Sequence, residues 1–179
     1  MRHKHKVGMY VGRFQPIHNG HMSIIERGLE ECAHLIIVIG SAQESGTKRN
    51  PFSFEFRKEL IRRSLRGRGE RVTIIGVNDR EEVKDDEAWG KYLLDEVERQ
   101  TGLRPTINFE GAEMVRSHWF DGIDIERKAF DRETIPISAS LVRDLMMEDN
   151  FDFFEFLPAA IWPLYGKMQM EVWRANGKV

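Results

Sequence analysis

Apolar positions along the chain recur in two rhythms, short continuous runs and longer segments spaced three to four apart, and the rhythms alternate. Lys6 to Gly12 (KVGMYVG) reads as a short buried strand that ends in glycine, and Leu35 to Gly40 (LIIVIG) as a stronger one. Between them Met22 to Glu31 has helical spacing, with Ile25 and Leu29 on one face and acidic residues on the other, so the three segments make a βαβ unit. The same logic predicts a helix over Phe54 to Leu65, a strand over Arg71 to Val77, a helix over Glu87 to Gln100 and a strand over Pro105 to Glu110. A last strand is expected over Ile123 to Ala129 and a helix over Ser138 to Met147. A mixed apolar helix follows over Pro158 to Trp173, in which Pro163 marks a start or a kink. Serial strands and helices imply an α/β fold built on a doubly wound parallel sheet, and in such sheets ligands bind beyond the carboxyl ends of the strands. Two loops sit there: Arg13 to Gly20 and Ser41 to Pro51.

Composition narrows the class without naming a function. The 179 residues suit one domain, spanning 1–179, with a C-terminal helical segment near 150–175. Cys32 is the single cysteine; placed after a helical pattern, it reads as a small apolar filler, and no disulfide scaffold follows. The longest apolar stretch, Leu35 to Ile39, has the length of a strand and not of a membrane span, and the basic start Met1 to Lys6 lacks the apolar core of a signal peptide. A soluble, cytoplasmic protein is expected, with no membrane partner. Net charge is −2, yet residues 1–71 hold 14 Lys/Arg against 7 Asp/Glu, while residues 72–179 hold 13 against 22. The first part therefore suits an anionic ligand, and the acidic remainder argues against nucleic acid.

The loop Gly12-Arg13-Phe14-Gln15-Pro16-Ile17-His18-Asn19-Gly20-His21 carries the strongest chemical signal. Pro16 fixes the chain direction, and Gly20 removes a side chain between two histidines that flank a helix start. A phosphate there would meet backbone amides, the positive end of a helix dipole, two imidazoles and the Arg13 guanidinium. Two histidines three apart also fit helix-start residues or half of a metal site, although Cys32 has no matching ligand set nearby. Neither GxxxxGK[ST] nor GxGxxG occurs, so the commoner phosphate cradles do not account for the loop.

These residues resemble the HxGH signature of the nucleotidyltransferases, and the GRFQPIHNGH form is similar to nicotinamide-nucleotide adenylyltransferases of the archaeal type and their bacterial relatives. Gly40-Ser41-Ala42-Gln43 followed by Arg49-Asn50-Pro51-Phe52-Ser53 resembles that family's GSAQ…NPFT segment, with Arg57 matching the arginine beyond it. Ile137-Ser138-Ala139-Ser140-Leu141-Val142-Arg143 resembles the ISxTxVR motif. The three motifs cover the chain from about residue 7 to about residue 150, in the family's order.

The resemblance implies a Rossmann-like nucleotidyltransferase fold with C-terminal helices, and an enzyme that transfers AMP from ATP to nicotinamide mononucleotide to give NAD and pyrophosphate. His18, His21 and Arg143 would be catalytic. Gly12, Arg13, Phe14, Gly20, Arg49 and Ser138 would bind the phosphates of ATP, and Ser41, Asp79 and Trp89 the mononucleotide. Trp119 is the alternative to Trp89 for stacking on the nicotinamide ring, and either tryptophan also fits a core position. Mg²⁺ would arrive with ATP, since the sequence offers no dedicated carboxylate cage. The resemblance further implies a homo-oligomer. Phe109-Glu110-Gly111-Ala112-Glu113 departs from the family's usual serine or glycine followed by asparagine. Met146, Met147 and the stripe Phe151, Phe153, Phe154 and Phe156 read as core or subunit contact. The rival readings are another HxGH enzyme of the pantetheine-phosphate, flavin or cytidylyl type, a catalytically silent nucleotide sensor, and, least favoured, a nucleic-acid binder.

Overall fold

A computed structural model describes residues 4–83, 85–111, 118–130 and 137–179; Ala112 and Glu113 lie outside them. Five strands, β1 (His5–Gly12), β2 (Cys32–Ile39), β3 (Val72–Gly76), β4 (Ile107–Gly111) and β5 (Glu126–Phe130), form one sheet in the order β3-β2-β1-β4-β5. All four pairings are parallel. The order reverses beside β1, which is where a doubly wound sheet opens a crevice at its carboxyl edge.

The period-two pattern sorts side chains to the two faces. On β2, Leu35, Ile37 and Ile39 join one core, and Ile36 and Val38 the other. All five are fully buried, each contributing about 1.5–3 kcal/mol of transfer free energy before conformational costs. On the larger core pack α1 (Asn19–Glu31), α2 (Phe54–Ser64), α4 (Ala139–Met147) and α5 (Tyr165–Ala175), through residues such as Ile25, Leu60, Val142 and Met168. The opposite face is covered by α3 (Asp86–Thr101) through Leu93, Leu94 and Val97, joined by Phe120.

Where the structure departs from the pattern, a local cause is visible. Helix α1 starts at Asn19, three residues before the apolar rhythm, because His18 caps it. Cys32 opens β2 directly after Glu31, so no loop separates helix from strand; it is buried, and burial pushes its thiol up. The final strand begins at Glu126 and not Ile123, since Ile123 and Ile125 pack toward α3 before the chain pairs with β4. The segment expected as one helix over Pro158 to Trp173 is a 3₁₀ turn over Ala159–Leu164 that contains Pro163, followed by α5. A further 3₁₀ turn, Phe151–Phe156, places Phe153 in the core and leaves Phe151 54% exposed.

Gly90 shows how closely α3 meets the chain that follows β4. A Cβ built there would lie 1.4 Å from the Trp119 carbonyl oxygen, whereas one at Gly166 in α5 would meet nothing within 4 Å. Gly90→Ala is therefore expected to cost about 2–4 kcal/mol in denaturant unfolding and to shift tryptophan fluorescence as Trp119 is displaced. Gly166→Ala should instead be neutral or stabilise by up to about 1 kcal/mol.

Candidate active site

The two loops singled out by the sheet rule meet at the carboxyl edge of β1 and β2. Gly40 N–H donates to the Gly12 carbonyl (3.0 Å), extending the strand pairing by one bond into the loops. Gly12 lies under the Phe14 ring, which a Cβ would meet at 3.0 Å. Phe14 and Ser41 both take positive φ, 51° and 47°, a region that favours glycine and strains other residues.

Helix α1 begins with a reciprocal cap made of two imidazoles. His18 Nδ1 accepts from the His21 N–H, and His21 Nδ1 accepts from the His18 N–H, both at 3.3 Å. The rings stack with centroids 3.7 Å apart. Because each Nδ1 is an acceptor, the ring proton belongs on Nε2, which makes the Nε2 edge of both histidines a hydrogen-bond donor. At α4 the cap is Ser138, whose hydroxyl accepts from the Leu141 N–H (3.1 Å).

A buried glutamine ties these elements together. Gln15 exchanges two hydrogen bonds with the backbone of Phe52, giving from Nε2 (3.0 Å) and accepting at Oε1 (2.9 Å). Its own carbonyl accepts from Arg143 Nη1 (2.6 Å), and Arg143 Nη2 reaches Ser140 (3.2 Å). One side chain thus fixes the first loop against the second, and its backbone fixes the arginine of α4 against both.

Two neighbouring cavities result. A pocket of about 200 Å³ is lined by Arg13, Phe14, Gln15, His18, His21, Ser138, Ser140 and Arg143. A larger one, about 500 Å³, is lined among others by Gly12, Arg13, Ser41, Arg49, Asp79, Asp85, Asp86, Trp89 and Trp119. Arg13 lines both. Burial lowers the Arg13 guanidinium, Arg49 lowers it further, and Asp79 partly offsets them. Burial likewise lowers Arg143, followed by repulsion from Arg13; Asp144 opposes them, and Arg49 adds a smaller repulsion. Cations gathered so that Arg13 and Arg143 are both lowered form a site whose natural counter-charge is an anion.

Of the sequence-derived residues, the smaller pocket gathers His18, His21, Arg143, Arg13, Phe14 and Ser138, and the larger gathers Gly12, Arg49, Ser41, Asp79 and Trp89. Gly20 sits in the first turn of α1, outside both linings. Trp89 and Trp119 both line the larger cavity, edge to face at 6.3 Å, and both pack against the α3 core. Asp79 is held by Gln43, which donates to its carboxylate (3.2 Å) and accepts from its backbone N–H (3.0 Å). Among the described residues no group of three or more His, Cys, Asp or Glu side chains is placed to hold a metal ion, and no helix is long and apolar enough to cross a membrane.

Residues 9–145 match the cytidylyltransferase-like family. The nicotinamide-nucleotide adenylyltransferase of Saccharolobus solfataricus is 33% identical over 87% of this chain and 87% of its own. That of Thermococcus onnurineus is 33% identical over 87% of this chain and 80% of its own. The chain belongs to the nicotinamide-nucleotide adenylyltransferase family. Its fold also matches the crystal structure of a bifunctional NMN adenylyltransferase/ADP ribose pyrophosphatase from Francisella tularensis complexed with AMP and a manganese ion. The TM-score is 0.77 at 20% identity, over 97% of this chain, which spans about half (53%) of that longer protein.

Against the family's motifs, the structural partnerships of Gln15 were not legible in sequence, nor were Asp85 and Asp86 as cavity residues. Their signal was present but indirect: the loop from Asp79 to Asp86 follows β3, whose carboxyl end lies beside that of β2.

The mutual repulsion of the arginines has a measurable consequence. Inorganic pyrophosphate should raise the melting temperature, by the equivalent of about 2.7 kcal/mol at a hundredfold excess over its Kd, and high salt should diminish the effect. Arg143→Ala should lose most of that shift in the same thermal scan; an equal shift in both proteins would show that the anion binds elsewhere.

Proposed function

We propose that this chain transfers AMP from ATP to nicotinamide mononucleotide, forming NAD and releasing pyrophosphate, with His18, His21 and Arg143 as the catalytic groups. The observation that carries the reading is the adjacency of the two cavities, one built of phosphate-binding donors and the other ending in a tryptophan pair, with Arg13 at their boundary. Adenylyl transfer needs such a layout, because two anions must be held together and in line.

In this reading a 5′-phosphate oxygen of the mononucleotide attacks the α-phosphorus of ATP. A phosphorus–oxygen bond forms there, the bond from the α-phosphorus to the bridging oxygen breaks, and that oxygen leaves on pyrophosphate. The Nε2–H groups of His18 and His21 and the Arg143 guanidinium stabilise the charge that gathers on the transferring and leaving oxygens. No covalent intermediate on the protein is required. The pocket's donors are cationic or neutral N–H and O–H groups, which suit phosphate oxygens and not a metal ion. A divalent cation, Mg²⁺ by preference, would therefore be held by the triphosphate and water and would screen the triphosphate charge.

The nicotinamide ring, a cationic pyridinium, packs against Trp89 and Trp119, where an aromatic face favours it. The carboxylates of Asp79, Asp85 and Asp86 line the same cavity and oppose the additional carboxylate of nicotinic acid mononucleotide. Exposed aromatic residues near the C-terminus, Phe151, Trp162 and Tyr165, offer a surface on which subunits of a homo-oligomer would meet.

The first test is turnover: purified protein with ATP, Mg²⁺ and either mononucleotide, following pyrophosphate and dinucleotide together. NAD should form, and the amide substrate should exceed the acid in kcat/KM by at least about tenfold. Equal use of both would refute the carboxylate argument, and no turnover would refute the reading itself.

His21 can be dissected because it both caps α1 and lines the pocket. His21→Ala should lose about 1 kcal/mol of stability and at least about a hundredfold in kcat. His21→Gln keeps a side chain that completes a capping box, so it should unfold within about 0.5 kcal/mol of wild type while remaining as inactive as the alanine variant. Recovery of activity along with stability would make the imidazole a structural group only.

A further inference from the structure

Arg57 is the largest side chain fully sealed from solvent, and among the described residues no carboxylate bonds to it. All its donors go to backbone carbonyls. Nε reaches Ser53 (3.4 Å), Nη1 reaches Arg13 (3.1 Å) and Gly40 (3.0 Å), and Nη2 reaches Ser41 (3.0 Å), Glu44 (3.3 Å) and Ala42 (3.4 Å). Five of the six acceptors belong to the loops that follow β1 and β2. Sealing a charge this way is unfavourable unless the arrangement does something that a neutral residue would not.

Two of the acceptors stand at special places. The carbonyls of Arg13 and Gly40 belong to the peptide units that enter Phe14 and Ser41, the two non-glycine residues of these loops with positive φ. In a trans peptide the carbonyl and the following N–H point in opposite directions, so gripping these carbonyls turns the Phe14 and Ser41 N–H groups away from Arg57. Among the described residues neither N–H donates a hydrogen bond. Phe14 lines the smaller pocket, and Ser41 the larger.

We propose that Arg57 is a positioning residue for the transfer reaction: its guanidinium holds the peptide units entering Phe14 and Ser41 in the strained orientation that presents both amide N–H groups to the phosphates of the two substrates. The proposal rests on the phosphate-site reading above and adds to it a device beneath the site. An arginine suits the task where a lysine does not, because its planar fork spans carbonyls of two separate loops at once. Burial, with Arg13 adding repulsion, lowers Arg57 to about 10, so it stays charged near neutral pH and its field reinforces the anion site above it.

The test has two arms. In the first, inorganic pyrophosphate is titrated into the ¹⁵N-labelled wild-type protein, and the amide protons of Phe14 and Ser41 are expected to move downfield as they gain an anionic acceptor. Binding that leaves both unmoved overturns the proposal alone; no binding at all overturns the phosphate-site reading and the proposal with it. In the second arm, Arg57→Lys is compared with wild type at matched folded fraction, judged by circular dichroism. Its kcat/KM should fall about 10- to 100-fold, because one pre-set donor at a charge-developing site is worth at least that much.

Adding Ser41→Gly to Arg57→Lys should return at least about threefold of the loss once the effect of Ser41→Gly alone is divided out, since glycine takes positive φ without strain. A folded Arg57→Lys with wild-type kinetics, or losses that simply multiply, overturns the proposal. Should Arg57→Lys fail to fold, the amide shifts of the first arm decide the matter.

Discussion

The carboxyl edge of the β1–β2 pair is the constraint from which the rest of the site follows. Their parallel register runs from His5 opposite Cys32 to Gly12 opposite Ile39, and the Gly40–Gly12 hydrogen bond carries it one step further. Because β2 is buried on both faces, a slip of one residue would exchange every apolar contact between two separate cores. That penalty locks the strands. The locked strands then fix where the two loops begin, and loops that begin 3 Å apart can be clamped by single side chains such as Gln15 and Arg57.

The site collects positive charge at some expense to stability. Arg13 and Arg143 each feel repulsion from Arg49, and Arg57 is buried with no carboxylate bonded to it among the described residues. Elsewhere the protein handles charge in the ordinary way: Glu110 near the β4 terminus is bonded by Asn108 and Arg127, and Arg71 satisfies three carbonyls where α1 runs into β2. The arginines that gather without an acidic hydrogen-bond partner among the described residues line the two cavities or lie directly beneath them, the separation between stability and function expected of a binding site.

Much of this was legible beforehand, for physical reasons that differ between residues. Strand and helix identities follow from side-chain period, which the sheet enforces along its whole length; ends are set by caps, which depend on one side chain each, and His18 is an unusual capping residue. Of the residues lining the smaller pocket, Arg13, His18 and His21 stand out by clustering in one loop, whereas Ser138 and Arg143 lie more than a hundred positions away and are picked out only by the resemblance of their motif. Asp85 and Asp86 escaped notice because acids at a helix start already have a local explanation, Asp85 capping α3 through the Ala88 N–H. Gln15 stands in the loop motif, but its pairing with Phe52, 37 positions away, cannot be read without the fold. Arg57 was matched to a motif arginine, and its burial inverts the natural expectation for such a residue, since it serves carbonyls and not a ligand.

The direct passage from Glu31 to Cys32 gives α1 the character of a strut of fixed length. Its 13 residues cross the sheet and deliver the chain to β2 with no intervening residue. A helix advances about 1.5 Å and turns about 100° per residue, so lengthening α1 by one would swing the histidine end around the axis while the other end stayed pinned in the sheet. Evolution of this chain therefore has no room to insert material between the paired histidines and the second strand without turning the site end of α1 against the sheet.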